Sequence, residues 1–183
     1  MDSASVRPYA RNARLLAPLL VVFGALALTA CAHGRITATS PGDAGALAGR
    51  VSDVTVNSDA VIAERKGVYD GLDADRTIKE AIVSELVEDG FFDESGDTRV
   101  SVRITEFRLR STGSAFMWGF FAGVDMLDGE VEIQQGEDSN KRFTFKLSGS
   151  EEWYFKFSAA ARFRSLASEL AEKIATLFEE PSS

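Results

Sequence analysis

Arg99-Val100-Ser101-Val102-Arg103-Ile104-Thr105-Glu106-Phe107-Arg108-Leu109-Arg110 is the clearest strand in the chain. Val100, Val102 and Ile104 alternate with Ser101, Arg103 and Thr105, the two-residue period of a strand with one face in a core and one in water. The apolar parity then flips to Phe107 and Leu109. A one-residue slip would turn the later side chains to the wrong face, so the flip predicts a bulge near Thr105-Glu106.

A strand of this kind needs neighbours, and the flanking sequence supplies them. Downstream, Gly129 to Gln135 places Val131 and Ile133 inward, and Arg142 to Ser148 does the same with Phe143, Phe145 and Leu147. Gly136-Glu137-Asp138-Ser139-Asn140 joins these two as a hairpin turn. Upstream, Val51, Val54 and Val56 suggest a first strand with imperfect alternation, followed by an irregular stretch through Asp70-Gly71.

Two helices cover the apolar face. Asp73 or Asp75 can cap the first, in which Ile78, Ile82 and Leu86 form a stripe flanked by Ala81, Val83 and Val87. Gly90 supplies a left-handed stop, and Phe91 and Phe92 tuck under the helix end. The second runs from about Ser158 to Phe178, with Phe163, Leu166, Ala167, Leu170, Ile174, Leu177 and Phe178 on one side and Pro181 beyond it. Trp153, Phe155 and Phe157 extend the last strand or lead into this helix. The fold class is α+β: a small antiparallel-rich sheet of about four strands with two helices packed on one face.

Towards the N-terminus the pattern changes. Arg7, Arg11 and Arg14 precede an apolar run, Leu15 to Leu28, broken by Pro18 and Gly24. The run is short of the ~20 residues that span a bilayer as a helix, which favours a cleaved signal. Leu28-Thr29-Ala30-Cys31 closes it, and Cys31 is the only cysteine in the chain. Ala30-Cys31-Ala32 is also an A-x-A site, whose cleavage would release a soluble protein instead. The resulting division is a signal over 1–30, a tether over 31–48 and a single domain over 49–180.

Composition excludes several function classes. The first thirty residues hold three of the 20 basic and one of the 28 acidic residues, leaving 17 against 27 and a net charge of −10. That balance opposes nucleic-acid binding, which rests on basic contacts to phosphate. No intrachain disulfide is available, so stability must come from apolar burial. His33, the only histidine, stands in the expected tether, where it cannot serve a zinc site or a catalytic triad. Asp70, Asp73 and Asp75, like Asp93, Glu94 and Asp97, lack calcium-loop spacing. Asp125 and Asp128 suit a turn. No catalytic residue, metal ligand or cofactor is implied, and the chain reads as a non-enzyme.

Two stretches remain as candidate contact sites. Ala115-Phe116-Met117-Trp118-Gly119-Phe120-Phe121-Ala122-Gly123-Val124 is apolar where a polar turn would be ordinary. It reads either as a buried element whose glycines allow close approach, or as an exposed loop in which Phe116, Trp118, Phe120 and Phe121 meet a partner or lipid. Arg103, Arg108 and Arg110, with Arg142 and Lys146, give the outward sheet face a basic character. Cross-strand pairing with Glu130 and Glu132 accounts for it, and a site for lipid phosphates is the alternative.

Leu28-Thr29-Ala30-Cys31 resembles the lipobox of bacterial lipoproteins. With it, the Gly90-Phe91 helix ending, the strand Val100 to Ile104, the Gly119 to Gly123 segment, the strand Glu130 to Ile133 and the Ala-rich last helix resemble the short envelope lipoproteins of Gram-negative bacteria. In element order the chain is also similar to the periplasmic domains of envelope-assembly lipoproteins, which work by binding partners. The resemblance implies acylation of Cys31, and Ala32 in place of an aspartate implies the periplasmic face of the outer membrane. The implied role is a binding or assembly module with an envelope protein partner. A lipid or glycolipid binder and, more remotely, a cell-wall hydrolase are the alternatives.

Overall fold

Alternation of Val100, Val102 and Ile104 does produce the central feature of the structure, a computed structural model that describes residues 33–45, 47–61, 63–110, 124–137, 139–149 and 158–179. The chain divides into two compact units, Met1–Cys31 and Ala32–Ser183, and all described residues belong to the second. In chain order its elements are β1 (His33–Ala38), β2 (Val51–Asn57), α1 (Ala63–Gly71), α2 (Ala74–Glu88), β3 (Thr98–Arg108), β4 (Met126–Gln135), β5 (Ser139–Ser148) and α3 (Ala159–Ala175).

The five strands form one sheet in the order β1-β5-β4-β3-β2. All neighbours are antiparallel except β2 and β3, which run parallel. A parallel pair needs a long crossover, and α1 with α2 provides it. The class is therefore α+β, with a mixed, mostly antiparallel sheet and three α-helices among the described residues.

Register explains the irregular apolar patterns. In β3 it shifts between Ile104 and Glu106, so the bulge lies where the parity flip places it, and Val100, Val102, Ile104 and Phe107 are all buried. A second shift between Val51 and Asp53 brings Val51 and Val54 to the same buried side. The β4–β5 hairpin pairs Gln135 with Ser139, and Gly136 at φ 60 makes its turn.

One core joins the sheet to α2 and α3. Ile78, Ile82 and Leu86 from α2 meet Phe163, Leu166, Leu170 and Ile174 from α3 over Val131, Ile133, Phe143 and Phe145. Full burial of each large aliphatic side chain is worth about 1.5–3 kcal/mol. Gly90, at φ 76, ends α2, while the Phe91 and Phe92 amides both donate to the Leu86 carbonyl. The Phe91 ring then rests 5.7 Å from that of Phe178.

Three parts of the sequence reading are corrected. Its tether covers 31–48, yet His33–Ala38 is an edge strand paired along β5 from His33↔Ser148 to Ala38↔Phe143. The following turn is held by the Ser40 hydroxyl donating to Asp43, and Leu47 is buried with its amide on the Leu177 carbonyl. Small and polar residues carry little local strand signal, and the pairing that makes this strand comes from more than a hundred residues away.

The stretch before Asp70-Gly71 contains α1, which sinks Tyr69 but leaves Val68 exposed. With Gly67 in its middle and no apolar stripe, it is a helix by packing more than by propensity. Lastly, Asp73 occupies the α2 N-cap position in a left-handed conformation and makes no side-chain cap. Its carboxylate pairs with Arg76, while Asp75 turns inward.

Candidate functional site

Four strand ends lie in a single row across the sheet. His33 is opposite Ser148, Ser148 opposite Met126, and Met126 opposite Arg108. From this row the chain runs back to Cys31, passes from β3 to β4 through 111–123, and leaves β5 for α3 through 150–157. The other end of the sheet carries polar turns, where the Gly136 amide donates to the Asp97 carbonyl and Gly96 to Asp93. Cys31 and residues Phe116, Trp118, Phe120 and Phe121 lie outside the described residues, as do Trp153, Phe155 and Phe157.

The sheet face away from the helices is polar. Thr55, Ser101, Glu132 and Arg142 form one cross-strand row, and Asn57, Arg103, Glu130 and Thr144 the next. They line a shallow hollow of about 520 Å³. Arg103 lies 3.9 Å from Glu130 and Arg142 3.5 Å from Glu132, so an acidic middle strand neutralises the basic ones beside it. Such exposed pairs contribute about 0–1 kcal/mol each. The three arginines singled out from sequence do not share this face equally. Arg103 is exposed, Arg108 is half-buried beyond the bulge, and Arg110 is buried.

No family model and no curated protein matches the chain. Among solved structures the chain is similar to the PelC dodecamer from Paraburkholderia phytofirmans, at 16% identity and a TM-score of 0.47, over 81% of this chain and 100% of that one. A substituted form of that dodecamer aligns at 18% identity with the same TM-score and coverage.

One side-chain cluster has the composition of a catalytic group. The Ser58 hydroxyl donates to Asp75 at 3.0 Å, and the Lys66 ammonium donates to Ser58 at 3.0 Å and to Asp70 at 2.9 Å. A serine–lysine nucleophile needs a neutral lysine. Here hydrogen bonding to Asp70 pushes Lys66 above its ordinary value, and Ser58 is buried. The cluster ties the end of β2 to α1 and α2. It also seats Tyr69, whose hydroxyl donates to Asp75 at 2.9 Å and whose ring packs edge-on against Phe107 and Phe163. Burial, then the Asp75 charge, pushes the Tyr69 phenol well up.

Among the described residues no group of His, Cys, Asp and Glu could hold a metal, and no helix is long and apolar enough to cross a membrane. Asp125 and Asp128, read from sequence as turn residues, are instead buried. Asp128 carries a carboxylate oxygen with no hydrogen-bond partner, and desolvation raises its pKa. Asp125 pairs with Arg162, a charge set four residues before Leu166 on the buried side of α3. An arginine inside an apolar stripe is the sequence signal for a buried partner.

Proposed function

We propose that the protein is a lipid-anchored, non-enzymatic envelope module that binds or assembles partners at the periplasmic face of the outer membrane. The observation that carries this reading is the row His33–Ser148–Met126–Arg108. Only Ala32 separates Cys31 from the start of β1 in the sequence. In the sequence, the apolar run Ala115–Val124 follows β3 and the aromatic run Trp153–Phe157 follows β5, whose last residues Arg108 and Ser148 stand in that row. An acylation motif and two apolar runs, each adjoining in sequence a strand end of that row, suit a module attached to a lipid surface. The domain's net negative charge makes apolar contact, not electrostatic adhesion, the binding force.

The test is labelled palmitate incorporation in cells followed by membrane flotation. Wild-type protein takes up label and floats, and Cys31→Ser does neither. Brominated lipid then quenches the emission of Trp118 and Trp153 in the acylated protein. Absence of label from the wild type overturns the anchor, and label without quenching overturns the apolar contact with lipid.

A further inference from the structure

An open sheet has two edges, and each presents a row of amides and carbonyls that another strand can pair with unless something guards it. The two edges here are treated differently. At β2 the Val51 amide donates to the Phe91 carbonyl, and the Val51 carbonyl accepts the Asp93 amide. The register shifts between Val51 and Asp53, and Lys79 comes from α2 to within 3.9 Å of Asp53. A covering bridge, a bulge and a lysine are all means of blunting an edge.

β1, at the other side, has neither bulge nor bridge among the described residues. It pairs with β5 in unbroken register from His33 to Ala38 and contains no proline. The Thr39 amide donates to the Arg142 carbonyl, so Thr39 and Arg142 are a hydrogen-bonded pair. By alternation Thr37 with Thr144 and Arg35 with Lys146 are hydrogen-bonded pairs too. The amides and carbonyls of Gly34, Ile36 and Ala38 therefore point away from β5. Among the described residues no strand lies beyond them.

This edge is complementary to itself. Ile36 is the middle of the three outward-bonding residues. When two β1 strands run antiparallel about it, Ile36 exchanges both hydrogen bonds with Ile36 of the copy, and Gly34 and Ala38 pair crosswise on either side. That makes about six inter-strand hydrogen bonds. On the core side the half-buried Ile36 gains an apolar neighbour, and the small residues beside it leave room. On the polar side Arg35 stands opposite Thr37 of the copy, so like charges do not directly oppose each other. Such a contact closes on itself, because each copy uses the same edge once. A head-to-tail contact would have to pair β1 with β2, which Phe91, Asp93 and Lys79 obstruct.

We infer that β1 is a docking edge for β1 of a second copy of this chain, joined antiparallel about Ile36 so that a single sheet runs through both. This docking needs no acyl chain on Cys31.

The test uses the full chain in detergent, with sedimentation reading the assembly and circular dichroism the fold. The parent should sediment as a dimer that dissociates on dilution. Ile36→Pro removes an outward amide and no bond to β5, in the setting where an edge strand tolerates proline. It should weaken association about tenfold or more while the domain stays folded. As a second measurement, Ile36→Cys in a Cys31→Ser background leaves one thiol per chain. Paired Cα atoms about 5.5 Å apart lie within disulfide reach, so oxidation should link two chains through position 36. Val87→Cys in the same background, exposed on α2, should link far less.

A monomeric parent overturns the inference, and so does an assembly of any size that Ile36→Pro leaves intact. Should Ile36→Pro fail to fold, the thiol decides. Absence of linkage through position 36, or linkage no greater than at position 87, is equally fatal. Neither readout involves palmitate or bromolipid, so failure of the anchor is seen separately from failure of the docking edge.

Discussion

Gly129 lies so near Arg103 that a β-carbon at position 129 would collide with the Arg103 carbonyl oxygen and come within 2.6 Å of Phe145 Cζ. The cause is the β3 bulge. Register shifts between Ile104 and Glu106 where they face Gly129 and Asp128, and the β4 backbone closes on the bulged strand there. Gly129→Ala is expected to lose about 1–3 kcal/mol through overpacking. Urea unfolding measures it, and a variant as stable as the parent would show that the strands can part without cost.

Tyr69→Phe keeps the edge-on packing against Phe107 and Phe163 but removes the hydrogen bond to Asp75. A cost of about 1–2 kcal/mol follows near neutral pH. The pH dependence has a definite sign. Unfolded tyrosine ionises near 10, while the folded phenol holds its proton well above that. Above pH ~10 the unfolded state therefore binds fewer protons, and stability falls as pH rises. Melting curves of Tyr69→Phe should lack this part of the alkaline loss.

Asp128 works in the opposite sense to a salt-bridged carboxylate. Its charge is desolvated and one oxygen lacks a partner, so the ionised form is disfavoured by folding even with Lys146 across the strand. Asp128→Asn should gain about 1 kcal/mol at neutral pH. As pH falls through the raised folded pKa, the wild type takes up its proton in the folded state and the gap closes. A variant less stable than wild type at pH 7 would mean that the attraction of Lys146 outweighs burial.

Arg103→Ala removes a surface pair with Glu130 and should shift stability by less than about 0.5 kcal/mol. The same variant, with Arg108→Ala, tests whether the sheet face takes lipid phosphate. Binding to anionic vesicles should be unchanged if the arginines serve only their cross-strand partners. A loss that deepens at low salt would assign the face to lipid.

Periodicity made β3, β4, β5, α2 and α3 legible, because each has an apolar side set by its own neighbours in sequence. The bulge was legible for the same reason, since a flip of parity has few other physical causes. β1 was not, because Gly34, Ile36 and Ala38 are too small or too few to write a pattern. Gly34 looks like a turn residue, yet it is needed where α3 presses on the sheet, within 3.0 Å of Glu169 Oε1 for an added β-carbon. α1 was hidden by Gly67 and by having, among its described side chains, a single buried anchor, Tyr69. Of the candidate site, the lipobox-like stretch and the apolar run were visible as composition, but the row of strand ends His33, Ser148, Met126 and Arg108 was not.

The amino-acid sequence by itself determined which segments are amphipathic, where they stop, and that Leu28 to Cys31 resembles an acylation motif. Those properties depend on residues within a turn or two of one another. Strand order, the parallel β2–β3 pair, the inclusion of β1 and the meeting of Asp125 with Arg162 were decided only by the tertiary structure. They join groups that are distant in the chain, and their free energy appears only after the core has brought those groups together and removed the water between them.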